Sequence, residues 1–285
     1  MSLGNIDALL KDGAALLADV RESPRSEALL LLVYAIYGFA NSDANKAYLL
    51  THPEIEPTAE QCVRYFDFIS RRQEHEPIAY IIGEKEFMGL DFLVDKRVLV
   101  PRPDTETLAE EAERIVKKEK LTSFLDVCTG SGCIAVTLAN AYPGIKAFAS
   151  DISADALDVA RENAKRNKVD VTFFLSNMFE EITGRYDLIV SNPPYIESGS
   201  MDSLPLTVRL HEPKLALDGG VDGLDFHRAL ARGAKSFLNP RGYLMMEIAW
   251  DQGEKVSNLL RNEGYQVYII KDLPGLNRVV CGSLL

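Results

Sequence analysis

Apolar residues recur at helical spacing in the N-terminal part of the chain: Leu9, Leu10, Leu16 and Leu17, then Leu29, Leu32, Val33 and Ile36, with polar residues between them. This periodicity predicts two helices, punctuated by Asn41-Ser42-Asp43 and His52-Pro53, and a third helix from Thr58 to about Arg72. The apolar run 28–40 follows Arg25 and Glu27 and is too short to span a bilayer, so it predicts a buried core helix. Beyond Pro77, β-favouring residues at 79–82 and 87–100 are separated by Gly83, Gly89 and Asp95, which predicts a hairpin-like connector.

From Phe124 onward the period alternates between strand and helix. Strands are expected at 123–128, 146–152, 171–176, 186–192 and 242–248, with helical segments such as 134–141 and 154–167 between them, which makes a doubly wound α/β sheet. Two further strand-like segments, 265–271 and 278–284, are joined only by Asp272-Leu273-Pro274-Gly275-Leu276-Asn277. A parallel crossover needs about a dozen residues or more, so these two predict an antiparallel hairpin at the sheet edge. The expected organisation is a helical domain at 1–76, a connector at 77–103, and an α/β domain at 104–285 with seven strands, one of them reversed near its C-terminus.

Composition narrows the function classes. The 285 residues are 47% hydrophobic and 26% charged, without a low-complexity tract or evident repeat, as expected of an ordinary folded protein. Cys62, Cys128, Cys133 and Cys281 form no C-x-x-C pair and the four histidines form no H-E-x-x-H, so no metal site or disulfide framework is expected and a cytoplasmic location fits. No signal peptide is visible, and no membrane association is expected. The net charge of −11 is spread over the chain: residues 1–80 hold 7 of the 31 Lys+Arg and 12 of the 42 Asp+Glu. No part is basic, which argues against direct nucleic-acid binding.

The first candidate site is Phe124-Leu125-Asp126-Val127-Cys128 running into Thr129-Gly130-Ser131-Gly132-Cys133-Ile134-Ala135. This places G-x-G-x-x-A between a strand and a helix, where glycines allow close approach of a ligand to backbone N–H groups. Asp151 follows 21 residues after Gly130, at the end of the next strand, where a carboxylate can bind ribose hydroxyls. These residues alone suit NAD, FAD or S-adenosylmethionine (SAM) about equally. Asp126, placed to organise the loop or meet a ligand amino group, and the reversed terminal strand favour SAM. Asn177 and Met178, in Ser176-Asn177-Met178-Phe179 after the third strand, are candidates for holding an adenine edge and face.

The second candidate is Asn192-Pro193-Pro194-Tyr195, which follows the buried-type strand Tyr-Asp-Leu-Ile-Val-Ser. Two prolines cannot extend a central ladder, so the strand must stop at the carboxyl edge of the sheet, where ligands bind in such folds. An amide or aromatic amino nitrogen is a poor nucleophile because its lone pair is delocalised. The Asn192 side-chain oxygen and the Pro193 carbonyl could each accept one N–H of such a nitrogen, fixing it and stabilising its developing positive charge. Pro194 would stiffen the turn and Tyr195 could stack on the planar substrate group.

With these two motifs together, the chain resembles the release-factor glutamine methyltransferase (HemK/PrmC) family. Further matches are Pro77-Ile-Ala-Tyr80-Ile-Ile-Gly83-Glu84, Val100-Pro101-Arg102-Pro103-Asp104-Thr105-Glu106, His211-Glu212-Pro213, Gly219-Gly220, Asp222-Gly223-Leu224, and Asp272-Leu273 with Arg278-Val279. The resemblance implies a Rossmann-like SAM-dependent methyltransferase sheet preceded by a helical substrate-recognition domain. It implies that the glutamine of the Gly-Gly-Gln loop in peptide-chain release factors is converted to N(5)-methylglutamine, and a monomeric enzyme is expected. SAM would be held by Asp126, Cys128, Thr129, Gly130, Ser131, Gly132, Asp151, Asn177, Met178 and Asn192, and the glutamine by Asn192, Pro193, Pro194 and Tyr195, with Asn192, Pro193 and Tyr195 catalytic. Cys128 replaces the family's usual glycine and would be strained at positive φ, and Asn177 stands where an acidic residue is common. A nucleic-acid exocyclic-amine methyltransferase is the alternative that the tetrapeptide leaves open. Arg102 and Glu106 could face the cofactor or serve only as a helix start; His211 and Glu212 could shape the substrate mouth or pack a loop.

Overall fold

The computed structural model describes residues 4–19, 23–38 and 43–284. The expected turn residues Asn41 and Ser42 and the end of the 28–40 run lie outside the described residues. The chain divides into two compact units: one takes in the chain up to Glu84 together with Pro205–His211, the other Lys85–Leu204 and the chain from Glu212 onward. The division falls inside the 77–103 segment.

In the first unit the helical period becomes α1 (Ile6–Leu17), α2 (Pro24–Tyr37), α3 (Asp43–Thr51), α4 (Ala59–Gln73) and α5 (Ile78–Ile82), and the later segment supplies α9 (Leu206–His211). Local chemistry sets the boundaries. Asn5 caps α1 through its side-chain oxygen, and Thr58 and Gln61 form a reciprocal capping box at the start of α4. Ile6, Leu9, Leu17, Leu31, Leu32, Tyr65 and Ile69 share one core. Gly13 is required where α1 meets α4, because a Cβ there would lie 1.9 Å from the Tyr65 hydroxyl oxygen. That hydroxyl donates to the Leu9 carbonyl at 3.2 Å.

Two expectations for this unit are corrected. A helix, α3, lies between the two punctuation marks, so Thr58 opens a fourth helix and not a third. Residues 79–82, read as strand-like, belong to α5: the Tyr80 and Ile81 N–H groups bond the Pro77 carbonyl, and Gly83 ends the turn at φ 80. The apolar side chains there are β-favouring by type, but Pro77 and Gly83 bracket one helical turn.

The second unit opens with a two-stranded sheet, β1 (Glu84–Phe87) and β2 (Leu90–Leu93), turning at Met88-Gly89 with both φ values positive. There follow α6 (Pro103–Glu119), β3 (Ser123–Val127), α7 (Cys133–Ala141), β4 (Lys146–Asp151), α8 (Ala154–Arg166), β5 (Thr172–Leu175) and β6 (Tyr186–Ser191). Then come α10 (Asp225–Gly233), β7 (Leu238–Glu247), α11 (Gly253–Asn262), β8 (Gln266–Lys271) and β9 (Asn277–Ser283). The sheet order is β5-β4-β3-β6-β7-β9-β8. Only β9 runs against its neighbours, paired antiparallel to both β7 and β8. The seven strands, the reversed one included, are those expected.

Both faces of the sheet are covered, which is why its central strands are largely apolar. Leu108, Ile134 and Ala164 of α6, α7 and α8 join the core on one face, and Leu230, Val256 and Leu260 of α10 and α11 join the core on the other. Strand order reverses direction between β3 and β6, which pair in parallel with Val127 opposite Ser191. The Ser191 hydroxyl donates to the Val127 carbonyl at 2.7 Å, closing the strand ends together. The two motif loops leave from this switch point, the usual ligand crevice of an open α/β sheet.

Candidate functional site

A cavity of about 230 Å³ opens above the ends of β3, β4 and β6. Of the residues expected to hold a cofactor, Cys128, Thr129, Gly130, Ser131, Asp151, Asn177, Met178 and Asn192 line it. Asp126 and Gly132 do not, and both act on the loop from beneath.

The glycine loop is shaped by backbone conformation. Cys128, Gly130 and Gly132 have φ of 61, 54 and 80, and Thr129 N–H donates to the Ser150 carbonyl at 3.0 Å. Cys128 therefore does occupy the left-handed region, at a cost of about 1 kcal/mol or more for a residue with a Cβ. Burial raises its thiol pKa, so it is an uncharged wall of the cavity. Gly132 lets α7 approach α8, since a Cβ would sit 3.1 Å from that of Ala160. Gly130 faces open space, so a Cβ there would project into the room a ligand needs.

Two carboxyls anchor this loop. Asp126 is 0% exposed; it accepts the Thr129 hydroxyl at 2.6 Å, and burial pushes its pKa up to about 7. This bond ties the end of β3 to the first residue of the loop. Asp151 accepts N–H bonds from Gly130 and Ser153, both at 2.9 Å, and burial raises its pKa against the effect of those bonds. A carboxylate offers about four acceptor positions, so Asp151 retains accepting capacity beyond its backbone N–H bonds. Asn177 uses its amide N–H on Glu180 at 2.9 Å, leaving its side-chain oxygen for a ligand edge. Val98, Leu99, Ile134, Ile152 and Met178 supply apolar walls.

The Asn-Pro-Pro-Tyr loop is held by side chains from far along the chain. Asn192 Nδ2 donates to Thr105 Oγ1 at 3.1 Å, which leaves Oδ1 as the free acceptor of the carboxamide. Asn192 and Pro194 line the cavity and bracket the Pro193 peptide, whereas Tyr195 is not part of the lining. The Tyr195 hydroxyl donates to Glu247 Oε1 at 3.3 Å, and the Tyr195 carbonyl accepts from Gln252 Nε2 at 3.0 Å. Gly219 and Gly223 pack so tightly on this turn that a Cβ would lie 2.7 Å from Tyr195 Cα and 2.4 Å from its carbonyl oxygen. That contact accounts for the glycines in both matched segments.

The remaining candidates divide. Arg102 lines the cavity and pairs with the buried carboxylate of Glu212. Glu106 instead accepts the Met88 N–H at 3.2 Å, a structural bond that fixes the hairpin turn. In the helical unit, a ring nitrogen of His211 lies 3.0 Å from the Glu74 carbonyl oxygen. Sequence reasoning missed Thr105, Glu247 and Gln252 as site residues. The available signal was a glutamate closing the otherwise apolar Tyr243-Leu244-Met245-Met246 run, since a charge there needs partners.

No helix among the described residues is long and apolar enough to cross a membrane, and no cluster of three His, Cys, Asp or Glu there could hold a metal.

Comparison with known proteins agrees with this geometry. Residues 105–212 match the family model for the methyltransferase small domain, and residues 8–83 match that for the PrmC N-terminal domain. The release factor glutamine methyltransferase of Koribacter versatilis is 41% identical over 91% of this chain and 91% of its own. That of Clostridium acetobutylicum is 37% identical over 96% of each. A solved methyltransferase from Pyrococcus furiosus, 19% identical, shares the fold with a TM-score of 0.51, covering 79% of this chain and 98% of its own. With near-complete coverage at this identity, and with the reversed strand and both motif loops in place, the chain belongs to the release factor glutamine methyltransferase family and is a SAM-dependent methyltransferase.

Proposed function

We propose that the protein methylates the side-chain amide nitrogen of the glutamine in the Gly-Gly-Gln loop of a peptide-chain release factor, acting as a cytoplasmic monomer that needs no direct nucleic-acid contact. The observation that carries this reading is the bond from Asn192 Nδ2 to Thr105, which commits the donor half of the carboxamide and leaves Oδ1 as an acceptor beside the glycine loop. An amide nitrogen offers two N–H groups, and a fixed acceptor is what a poor, planar nucleophile requires.

The lining fits SAM. Gly130 leaves open room where a side chain would intrude, Asp151 has lone pairs left for a ribose diol, and Met178 and Ile152 offer faces to an adenine. When bound, SAM supplies a methyl group on a positively charged sulfur. Asn192 Oδ1 and the Pro193 carbonyl hold the two amide protons, so that the nitrogen is oriented and its gathering positive charge meets two negative dipoles. One proton leaves to water as the nitrogen gains its methyl, and no strong base is needed because that proton becomes acidic during transfer.

Replacing Asn192 with Ala is expected to lower kcat on a release factor by about 10²–10³ while SAM affinity stays within a few-fold. Labelled-methyl transfer should be measured with release factor, DNA and RNA offered separately. Unchanged turnover in the variant, or label in nucleic acid alone, would defeat this reading.

A further inference from the structure

Asn163 sits inside α8, is fully buried, and does not line the cofactor cavity. Its carboxamide is nevertheless fully committed. Oδ1 accepts the Leu93 N–H at 2.7 Å, while Nδ2 donates to the Leu93 carbonyl at 3.0 Å and to the Ser131 carbonyl at 2.9 Å. A primary amide has two N–H groups, so both are spent, one on the end of β2 and one on the glycine loop. Helix formation does not call for a buried asparagine here, where an apolar residue would fill the space without needing partners.

Each partner leads to a part of the cavity lining. Ser131 lies between Gly130 and Gly132, and the orientation of its carbonyl depends on the φ of Gly132, which is 80. Glycine adopts either sign of φ readily, so the peptide after Ser131 has little preference of its own for one face. The bond to Asn163 supplies that preference. Leu93 ends β2, and four residues further on begins the 97–102 segment, of which Arg97, Val98, Leu99, Pro101 and Arg102 line the cavity. That segment belongs to no helix or strand. Its path from Leu93 is set by a tight turn, in which the Asp95 carboxylate accepts the Arg97 N–H at 3.0 Å and the Asp95 carbonyl accepts the Val98 N–H at 3.1 Å. Its far end is held by the ion pair of Arg102 with Glu212.

We propose that Asn163 is a positioning residue for the cofactor: from outside the cavity it locks the glycine loop and the start of the 97–102 segment to each other, so that two parts of the SAM site are set before SAM is bound. A site whose lining is in place for only a tenth of the time binds about tenfold more weakly. Asn167 supplies the contrast. It lies one turn along the same helix, and its Nδ2 donates to the Asp91 carbonyl of β2 at 3.3 Å and to the Asn163 carbonyl at 3.0 Å, not to the glycine loop.

The test compares Asn163→Leu, Asn163→Asp and Asn167→Ala in the full chain, measuring SAM affinity by calorimetry, kcat on a release factor at saturating SAM, and Tm. Leucine keeps the size and removes the bonds; an ionised aspartate can still accept the Leu93 N–H but turns an oxygen toward two carbonyls. Both Asn163 variants are expected to raise the Kd for SAM by about 10-fold or more, with kcat at saturation within about threefold of wild type, because the cost falls on assembling the site. Asn167→Ala, which leaves the Ser131 bond intact, should keep the Kd within about twofold. A merely structural asparagine would lower Tm and leave the Kd of the folded protein where it was. Unchanged Kd in the Asn163 variants, whatever happens to Tm or kcat, would therefore overturn the proposal, as would an equal loss of affinity in Asn167→Ala. Should leucine and aspartate both prevent folding, Asn163→Ser, which keeps one donor, decides on the same readouts. Calorimetry with SAM needs no protein substrate, so its outcome is separate from whether a release factor is methylated.

Discussion

The loops that follow β3 and β6 leave from paired strand ends and face one cavity, yet they are held by different means. The glycine loop owes its shape to three residues at positive φ and to carboxylates within a few residues or one strand away. The Asn-Pro-Pro-Tyr loop has rigid prolines, but its orientation depends on Thr105, Glu247 and Gln252, each more than fifty residues distant in sequence. A loop that binds an invariant cofactor can be built locally from backbone N–H groups. A loop that must grip a weak nucleophile needs directional acceptors, and those are fixed from outside.

If the two loops are separable, one can be damaged while the other keeps its ligand. The largest effect is expected for Gly219→Ala, whose Cβ would collide with Tyr195 Cα at 2.7 Å. The backbone there cannot yield as a flexible side chain would, so kcat/KM should fall by about 100-fold or more, at roughly 1.4 kcal/mol per factor of ten. SAM titration of the same variant should give nearly wild-type affinity; an equal loss of both would show the loops to be one unit.

A smaller effect separates the carboxyls under each loop. Burial pushes both Asp126 and Glu247 up to about 7, from ordinary values of 3.8 and 4.5. A folded-state pKa above the unfolded one contributes stability that is complete below the unfolded value and is lost as pH rises through about 7. Asp126→Asn and Glu247→Gln abolish that term. Relative to either variant, the wild-type Tm should therefore decline between pH 4.5 and 7.5, on the order of several degrees at 2–4 °C per kcal/mol. Thermal scans giving parallel Tm curves over that range would contradict the assignment.

The smallest effect is expected at the glycine loop itself. Cys128→Gly removes a Cβ held at φ 61, a gain of about 1 kcal/mol that is partly offset by the entropy of an added glycine in the unfolded chain. SAM affinity should improve by no more than about threefold, with kcat on release factor unchanged. A large loss of affinity would mean that the thiol contacts the ligand usefully.

The same contrast separates what is legible in the sequence from what is not. The strands were evident because buried parallel strands are runs of apolar residues, and the reversed strand followed from the short Asp272–Asn277 link. Asp151 stands out as a candidate because its distance from Gly130 is set by one helix and one strand. Thr105 and Glu247 gave no such spacing, because a partnership across 87 or 52 residues is fixed by the sheet order and not by the local period. The helical turn at Ile78–Ile82 was mistaken for strand because side-chain type outweighed the flanking Pro77 and Gly83 in a segment too short to show a period. The helix α3 gives no clear signal for a related reason, since polar and apolar residues are mixed over Asp43–Thr51 with little amphipathic contrast.

The position of β9 bears on how the sheet assembles. Its partner β8 is a near neighbour in sequence, but β7 is separated from β9 by the whole of α11 and β8. The β8–β9 ribbon closes a short loop and can zip on the microsecond scale, whereas docking it along β7 waits for the central parallel strands, whose long crossovers are slow to close. Since Arg278 on β9 is a neighbour of Glu247, the acceptor behind Tyr195 acquires its final surroundings only at that docking step. Catalytic competence should then be among the last properties to appear on refolding, after the cofactor crevice has already formed.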